Sequence, residues 1–305
     1  MTDALTIENR AGLSRATCGW KKRGLAIERV RPYWRDVHSP AISRRAGIYE
    51  YRHNPYDALR TDLFSPVSGV NFICDPEAQL MWVSDVRYLD EAGLAAFTAS
   101  PEPAVKAKIL ADIELIVDRS TTYRSVGDNT RTLLDLTSRP APQGPVGWAT
   151  YGIYFRQRSD EASFRACVRA IAVRWTRTSG VLRVRMNLFD VPDMEAERKA
   201  GYPIKTHPKE QQYQAWIDLV LADDGVGKRL LSDADGVAYR DFFSEIHAYP
   251  VPAVYTFVYA GRPTLAGLRG YPAYEAIKGL GGMHQTEVGL LEWMYGPVVQ
   301  GGPLA

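Results

Sequence analysis

The apolar positions of this chain switch between strand and helix periods in the same order twice. In the second half, Tyr151, Ile153, Tyr154 and Phe155 mark a strand over Ala149 to Arg158. Phe164, Val168, Ile171 and Trp175 then recur at helical spacing, which predicts a helix over Glu161 to Thr176. Ser179-Gly180 stops that helix. Strands are expected at Val181 to Phe189 and Gln212 to Leu221, a short helix near Gly227 to Leu231, and a fourth strand at Pro252 to Tyr259. The first half gives a strand near Thr17 to Lys22, a helix from Glu28 to Arg44, and strands at Ile48 to Tyr56 and Gln79 to Tyr88. A helical stretch from Ala104 to Val117 and a strand at Thr121 to Val126 complete it. Each half therefore reads as βαββαβ, the order of a ferredoxin-like unit.

The halves are also related residue by residue. Gly47, Arg52, Asn54 and Asp57 recur 133 residues later as Gly180, Arg185, Asn187 and Asp190, and Glu28 and Arg44 recur as Glu161 and Arg177. Placing Trp82 on Trp216 takes the offset to 134 in the third strand. A duplication of this length means two similar units and not a solenoid. Two sheets, each with helices on one face, must bury the other face. The expected fold is therefore α+β: two ferredoxin-like units packed sheet to sheet as an internal pseudo-dimer α/β barrel, with a C-terminal helical extension. The units are set at 1–138 and 148–262, joined by a Pro/Gly-rich linker at 139–147. The extension at 263–305 has helical patterns at Thr264 to Leu280 and Gln285 to Tyr295, expected to cover an edge or a pocket.

Composition narrows the class. With 305 residues, 46% hydrophobic and 24% charged, the chain has apolar material for a core in each half, and its net charge of +2 points to neither nucleic acid nor an anionic membrane as partner. Three scattered cysteines, Cys18, Cys74 and Cys167, fit a reducing compartment better than a disulfide framework or zinc site. No stretch has transmembrane length and the first residues carry no apolar leader, so a cytoplasmic location is expected. A homodimer is left open.

The repeat also isolates candidate chemistry. On the second strand, Tyr49, Tyr51 and His53 stand where the sister unit has Leu182, Val184 and Met186. With the 134 offset, Asp85 stands where it has Leu219; on the helix, His38 replaces Ile171 and Trp34 replaces Cys167. Polar groups on one inner surface imply a hydrogen-bonded network or a wet pocket, and the sister unit indicates that the fold does not require them. His38 and His53 are the candidate base and acid, Tyr51 an oxyanion donor, Asp85 an orienting group, and Trp34 and Tyr49 an apolar wall. Of the other histidines, His207 is expected in a solvated loop, His247 just before the last strand, and His284 in a glycine-rich turn. No metal spacing, dinucleotide fingerprint or serine elbow occurs.

The run Tyr33-Trp34-Arg35-Asp36-Val37-His38-Ser39-Pro40, preceded by Gly24-Leu25 and followed by Gly47-Ile48-Tyr49-Glu50-Tyr51, resembles the EthD family of the dimeric α/β-barrel superfamily. The resemblance spans Gly19 to Asp128, and Ser39 replaces the glycine that follows the family's motif histidine. It implies a pocket between sheet and helices, in which His38 matches the motif histidine and Trp34 the motif tryptophan. It further implies cofactor-independent acid–base chemistry of the cyclase, isomerase, dehydratase or oxygenase kind. The expected activity is a cofactor-independent lyase or isomerase acting on a small apolar or aromatic carbonyl or hydroxyl compound. A haem-dependent enzyme with His247, His207 or His284 as ligand, and a non-catalytic binder of a hydrophobic metabolite, are the alternatives.

Overall fold

The computed structural model describes residues 4–199 and 207–295. The last residues of the expected extension, 296–305, lie outside the described residues. Strands β1 (Leu13–Lys21), β2 (Glu50–Pro55), β3 (Trp82–Tyr88) and β4 (Val117–Val126) form one antiparallel sheet in the order β2-β3-β1-β4. Strands β5 (Thr130–Asp135) and β6 (Gln143–Pro145) follow, and β6 lies within the expected linker. In the second half β7 (Ala149–Gln157), β8 (Val181–Leu188), β9 (Ala215–Leu221) and β10 (Phe243–Pro250) repeat the arrangement in the order β10-β7-β9-β8. Both are ferredoxin-like sheets, and the α+β class holds.

Each half also sends a strand to the other. β5 leaves the first half to pair with β8, and β11 (Ala253–Tyr259) leaves the second to pair with β2 and β6. This reciprocal exchange corrects the expected fourth strand of the second unit. That strand is β10, and the segment read as its equivalent, β11, belongs to the opposite sheet. Exchange satisfies two sheet edges that would otherwise stay open.

Helices cover the outer faces. In the first half α1 (Ala4–Glu8) precedes β1, and one continuous helix runs through α2 (Ile27–Tyr33), a π-helical turn (Trp34–His38) and α3 (Ser39–Ser43). Pro40 has no N–H to give the carbonyl of Asp36, and the Ser39 N–H reaches back five residues to the Trp34 carbonyl. Helices α4 (Glu91–Ala99) and α5 (Pro103–Ile116) complete this layer. In the second half α6 (Glu161–Trp175) does the same work. The tail helices Leu265–Arg269 and Tyr271–Gly279 pack on β11 and the α2–α3 helix, where the Ser43 hydroxyl donates to the Gly267 carbonyl at 2.9 Å. The extension therefore covers an edge of the first sheet.

The repeated glycines have one physical cause. Gly47 and Gly180 both take left-handed φ values, +79° and +90°, to leave a helix and enter a strand. A Cβ at Gly47 would lie 2.1 Å from the Gly93 carbonyl oxygen. Gly47→Ala is expected to lower unfolding stability by about 2 kcal/mol or more, measured by denaturant titration.

The space between the sheets carries a buried charge network. Glu8, Glu50, Asp85, Asp135 and Asp218 are paired there with Arg52, Arg87, Arg183 and Arg185. Beyond it the interior is packed with aromatic rings, among them Tyr56, Tyr123, Tyr154, Tyr213, Trp216 and Tyr249.

Candidate active site

The antiparallel register decides which predicted residues meet. On β2 and β3, His53 lies opposite Ser84, Tyr51 opposite Val86 and Arg52 opposite Asp85. In the second half Arg185 lies opposite Asp218 and Met186 opposite Ile217. Arg52 and Asp85 thus recur 133 residues later as Arg185 and Asp218, so the offset does not change between the second and third strands. Aligning Trp82 with Trp216 slipped the third strand by one residue, which turns every side chain to the wrong face. Asp85 belongs between the sheets, where it accepts from Arg185 at 3.1 Å and from the Ser14 hydroxyl at 2.7 Å. Ser84 is the polar replacement on the outer face, at the position of Ile217.

His38, Tyr51, His53 and Trp34 do come together, under the α2–α3 helix. The π turn puts Trp34 and His38 on one face, with ring centroids 4.0 Å apart. Trp34 also packs on Trp82 at 4.5 Å, and Trp82 lies across Gly19, where any side chain would collide with it. The Trp34 indole donates to the Ser84 hydroxyl at 3.3 Å, and His53 Nδ1 lies 3.4 Å from the same oxygen. The Tyr51 hydroxyl donates to Ser39 at 2.9 Å. Tyr49 does not join them; its hydroxyl donates to the Ile7 carbonyl at 3.0 Å, at the edge beside α1.

A cavity of about 70 Å³ lies between this group and α5. Trp34, His38, Tyr51 and Ser84 line it, with Arg15 and Arg45 on its walls. The matching space in the second half is filled. There Phe164, Val168, Ile171 and Trp175 meet Val184, Met186 and Ile217, with Leu63, Phe64 and Val67 inserted from the loop after β2.

The orienting carboxylate of His38 is Asp112 on α5, which the sequence reading missed because nothing in spacing or repeat links it to His38. His38 Nδ1 lies 3.2 Å from Asp112 Oδ2, and the Tyr33 hydroxyl donates to Asp112 Oδ1. The hydrogen bond to His38, with that from Tyr33, outweighs partial burial and holds the Asp112 carboxyl below its ordinary pKa. An ionised carboxylate only accepts, so Nδ1 carries the proton and Nε2 is left as the basic nitrogen. Burial pulls the His38 pKa down despite the pull of Asp112 in the other direction, so the ring is neutral at neutral pH. Burial, with His38, Arg35 and Arg31 nearby, takes His53 down to about 3. His53 is thus a neutral hydrogen-bonding group and not a cationic acid. Burial also raises Tyr51 to about 12, which keeps its hydroxyl protonated.

The remaining histidines lie elsewhere. His207 is fully buried and not solvated; its ring stacks on Trp20 at 4.1 Å and Nε2 meets the Gln211 carbonyl at 2.9 Å. His247 lies within β10, buried, with Nδ1 2.8 Å from the Tyr213 hydroxyl. His284 is exposed in the tail turn Met283–Thr286. The three cysteines are free. Among the described residues no group of three or more His, Cys, Asp or Glu side chains could hold a metal ion, and no helix is long and apolar enough to cross a membrane.

No family model matches the chain, and no curated protein matches it. The resemblance to the EthD family therefore rests on the helix and strand motif alone. Among solved structures, the chain is similar to a candidate monooxygenase from Fusobacterium nucleatum, at 9% identity, covering 80% of this chain and 94% of that one with a TM-score of 0.42. A candidate monooxygenase from Lactobacillus acidophilus matches at 8% identity, covering 81% and 96%, also with a TM-score of 0.42. A candidate chlorite dismutase matches at 9% identity, covering 79% and 94%, with a TM-score of 0.39.

Proposed function

We propose that the protein is an enzyme that moves protons on a small carbonyl or hydroxyl compound, a lyase or isomerase of the EthD kind, with His38 as its base. The carrying observation is the pairing of His38 with Asp112 beside a cavity that the sister half fills with hydrocarbon. His38 Nε2 takes a proton from the carbon next to the carbonyl, and the electron pair moves onto the carbonyl oxygen. The protonated Tyr51 hydroxyl, turned from Ser39 to the substrate, or that of Ser84, donates a hydrogen bond to this oxygen. The imidazolium, stabilised by Asp112, then returns its proton to another carbon in an isomerisation. In a dehydration it gives the proton to a departing hydroxyl, which leaves as water. His53 supports the hydroxyl of Ser84 and stays neutral throughout.

Cavity size favours the small end of the substrate range. An engineered cavity that holds benzene measures about 150 Å³, and drug-sized pockets about 300–1,000 Å³. The 70 Å³ here suits neither an aromatic ring nor a haem. Neither His247 nor His207 lines this cavity, so neither could hold a haem in it.

Asp112→Asn tests the reading. It is expected to lower turnover about 10–100-fold, as loss of a group that orients another does. Because Asp112 raises the His38 pKa, the acid limb of the pH–rate profile should move to lower pH. A purely structural role would leave that limb in place. An intense visible band in the purified protein would contradict the cofactor-independent part.

A further inference from the structure

Asp112 is gripped on both of its oxygens by a single helix. Its Oδ2 lies 3.2 Å from His38 Nδ1, and its Oδ1 accepts from the Tyr33 hydroxyl. Tyr33 and His38 are five residues apart, and on a regular α-helix such a pair points about 140° apart around the axis. They reach the same carboxylate because the turn between them, Trp34–His38, is π-helical, with the Ser39 N–H on the Trp34 carbonyl. Pro40, which has no N–H, keeps the helix from closing the usual bond there. The sister helix α6 is regular throughout, and 133 residues on from Tyr33, His38 and Pro40 it carries Ala166, Ile171 and Val173. The tyrosine, the histidine and the proline are thus absent together from the half whose matching space is filled. Tyr33 does not line the cavity, so it does not touch a ligand there. Its ring packs on the cluster of Trp34, Trp82 and Ile116, which fixes where its hydroxyl sits. Tyr33 and His38 are the hydrogen-bond partners of the Asp112 carboxylate among the described residues. The Asp112 side chain keeps 17% of its surface open to solvent, so without Tyr33 its Oδ1 would turn to water.

Resting on the proton-transfer reading above, we infer that Tyr33 is a positioning residue: it clamps the Asp112 carboxylate so that Oδ2 faces His38 Nδ1, and the π turn is the device that aligns this clamp with the base. The role is one of direction and not of charge. Water takes the place of the phenol when it is removed, so the carboxylate keeps its charge and loses its orientation.

The test is a nitrogen-15 NMR titration of His38 in the full chain, with no ligand added, in wild type, Tyr33→Phe, Asp112→Asn and the double variant. Phenylalanine keeps the ring and its packing and removes only the hydroxyl. Asp112→Asn is expected to lower the His38 pKa by about 1, as loss of an adjacent opposite charge does. Tyr33→Phe should lower it by about half as much. It should add nothing in the Asp112→Asn background, where no carboxylate is left to direct. His38 also shares the cavity wall with Arg45 and Tyr51 and lies near neutral His53, and Tyr33→Phe alters none of these. A Tyr33→Phe variant that lowers only the melting temperature would overturn the inference, as would a rise in the His38 pKa or an equal fall in both backgrounds. If His38→Gln leaves turnover unchanged while the pKa pattern holds, the clamp stands and the assignment of the base fails. If His38→Gln abolishes turnover and the pattern is absent, the clamp alone fails, so the two failures separate.

Discussion

Replacing His38 with glutamine is expected to reduce turnover by about 10²–10⁴-fold, the usual contribution of a positioned general base. Glutamine keeps much of the volume and a hydrogen-bonding end, so packing against Trp34 and the approach to Asp112 survive. The pH dependence follows from the direction of the shift. Burial depresses the His38 pKa below 6.5, so the basic form predominates at and above that pH. The wild-type rate should be flat above neutrality and fall only as pH drops below the ordinary imidazole range. A variant with unchanged kcat/KM and an unchanged pH profile would remove His38 from the chemistry.

The second large effect concerns stability and lies far from the cavity. Glu8 comes from the short helix α1 and enters the space between the sheets, fully buried. There it accepts from Arg52 at 2.7 Å and from Arg183 and Arg185, both at 2.9 Å. Removing one partner of a buried charge network leaves the others uncompensated, so Glu8→Ala is expected to cost about 3–5 kcal/mol in denaturant unfolding. Burial alone would raise the Glu8 pKa, but the three arginines outweigh it and leave it well below 4.5. The same balance takes Glu50 to about 2. Folded values below unfolded ones mean a contribution that is complete above the unfolded value of 4.5 and is lost as pH falls through the folded values. The wild type should therefore lose stability mainly below pH 4.5, and Glu8→Ala should show a smaller loss over that range.

Element order was legible in the sequence because helix and strand periods differ, and because each unit repeats the same sequence of periods. Gly47 and Gly180 were readable as matched helix stops, since both need a left-handed turn. The exchange of β5 and β11 was not readable. An apolar alternating segment suits either sheet edge, and the edge it joins is set by short connections such as Val251-Pro252 between β10 and β11. On the helix and second strand the repeat comparison brought out His38, Tyr51 and His53, which do meet around Ser84. It misplaced Asp85 because two tryptophans were matched at the cost of one residue of register, which hid Ser84. Asp112 had no signal at all: it lies 74 residues from His38 on a helix with no counterpart motif, and only the packing of α5 over the sheet brings it near.

The most direct test of the central claim is a nitrogen-15 NMR titration of the five histidine rings, with His38 assigned through the His38→Gln spectrum. The account predicts that His38 is neutral at pH 7, protonated on Nδ1 and bare on Nε2, with a pKa below 6.5 that falls further in Asp112→Asn. A His38 ring that is cationic at pH 7, or one that carries its proton on Nε2, would contradict the base assignment and the mechanism built on it.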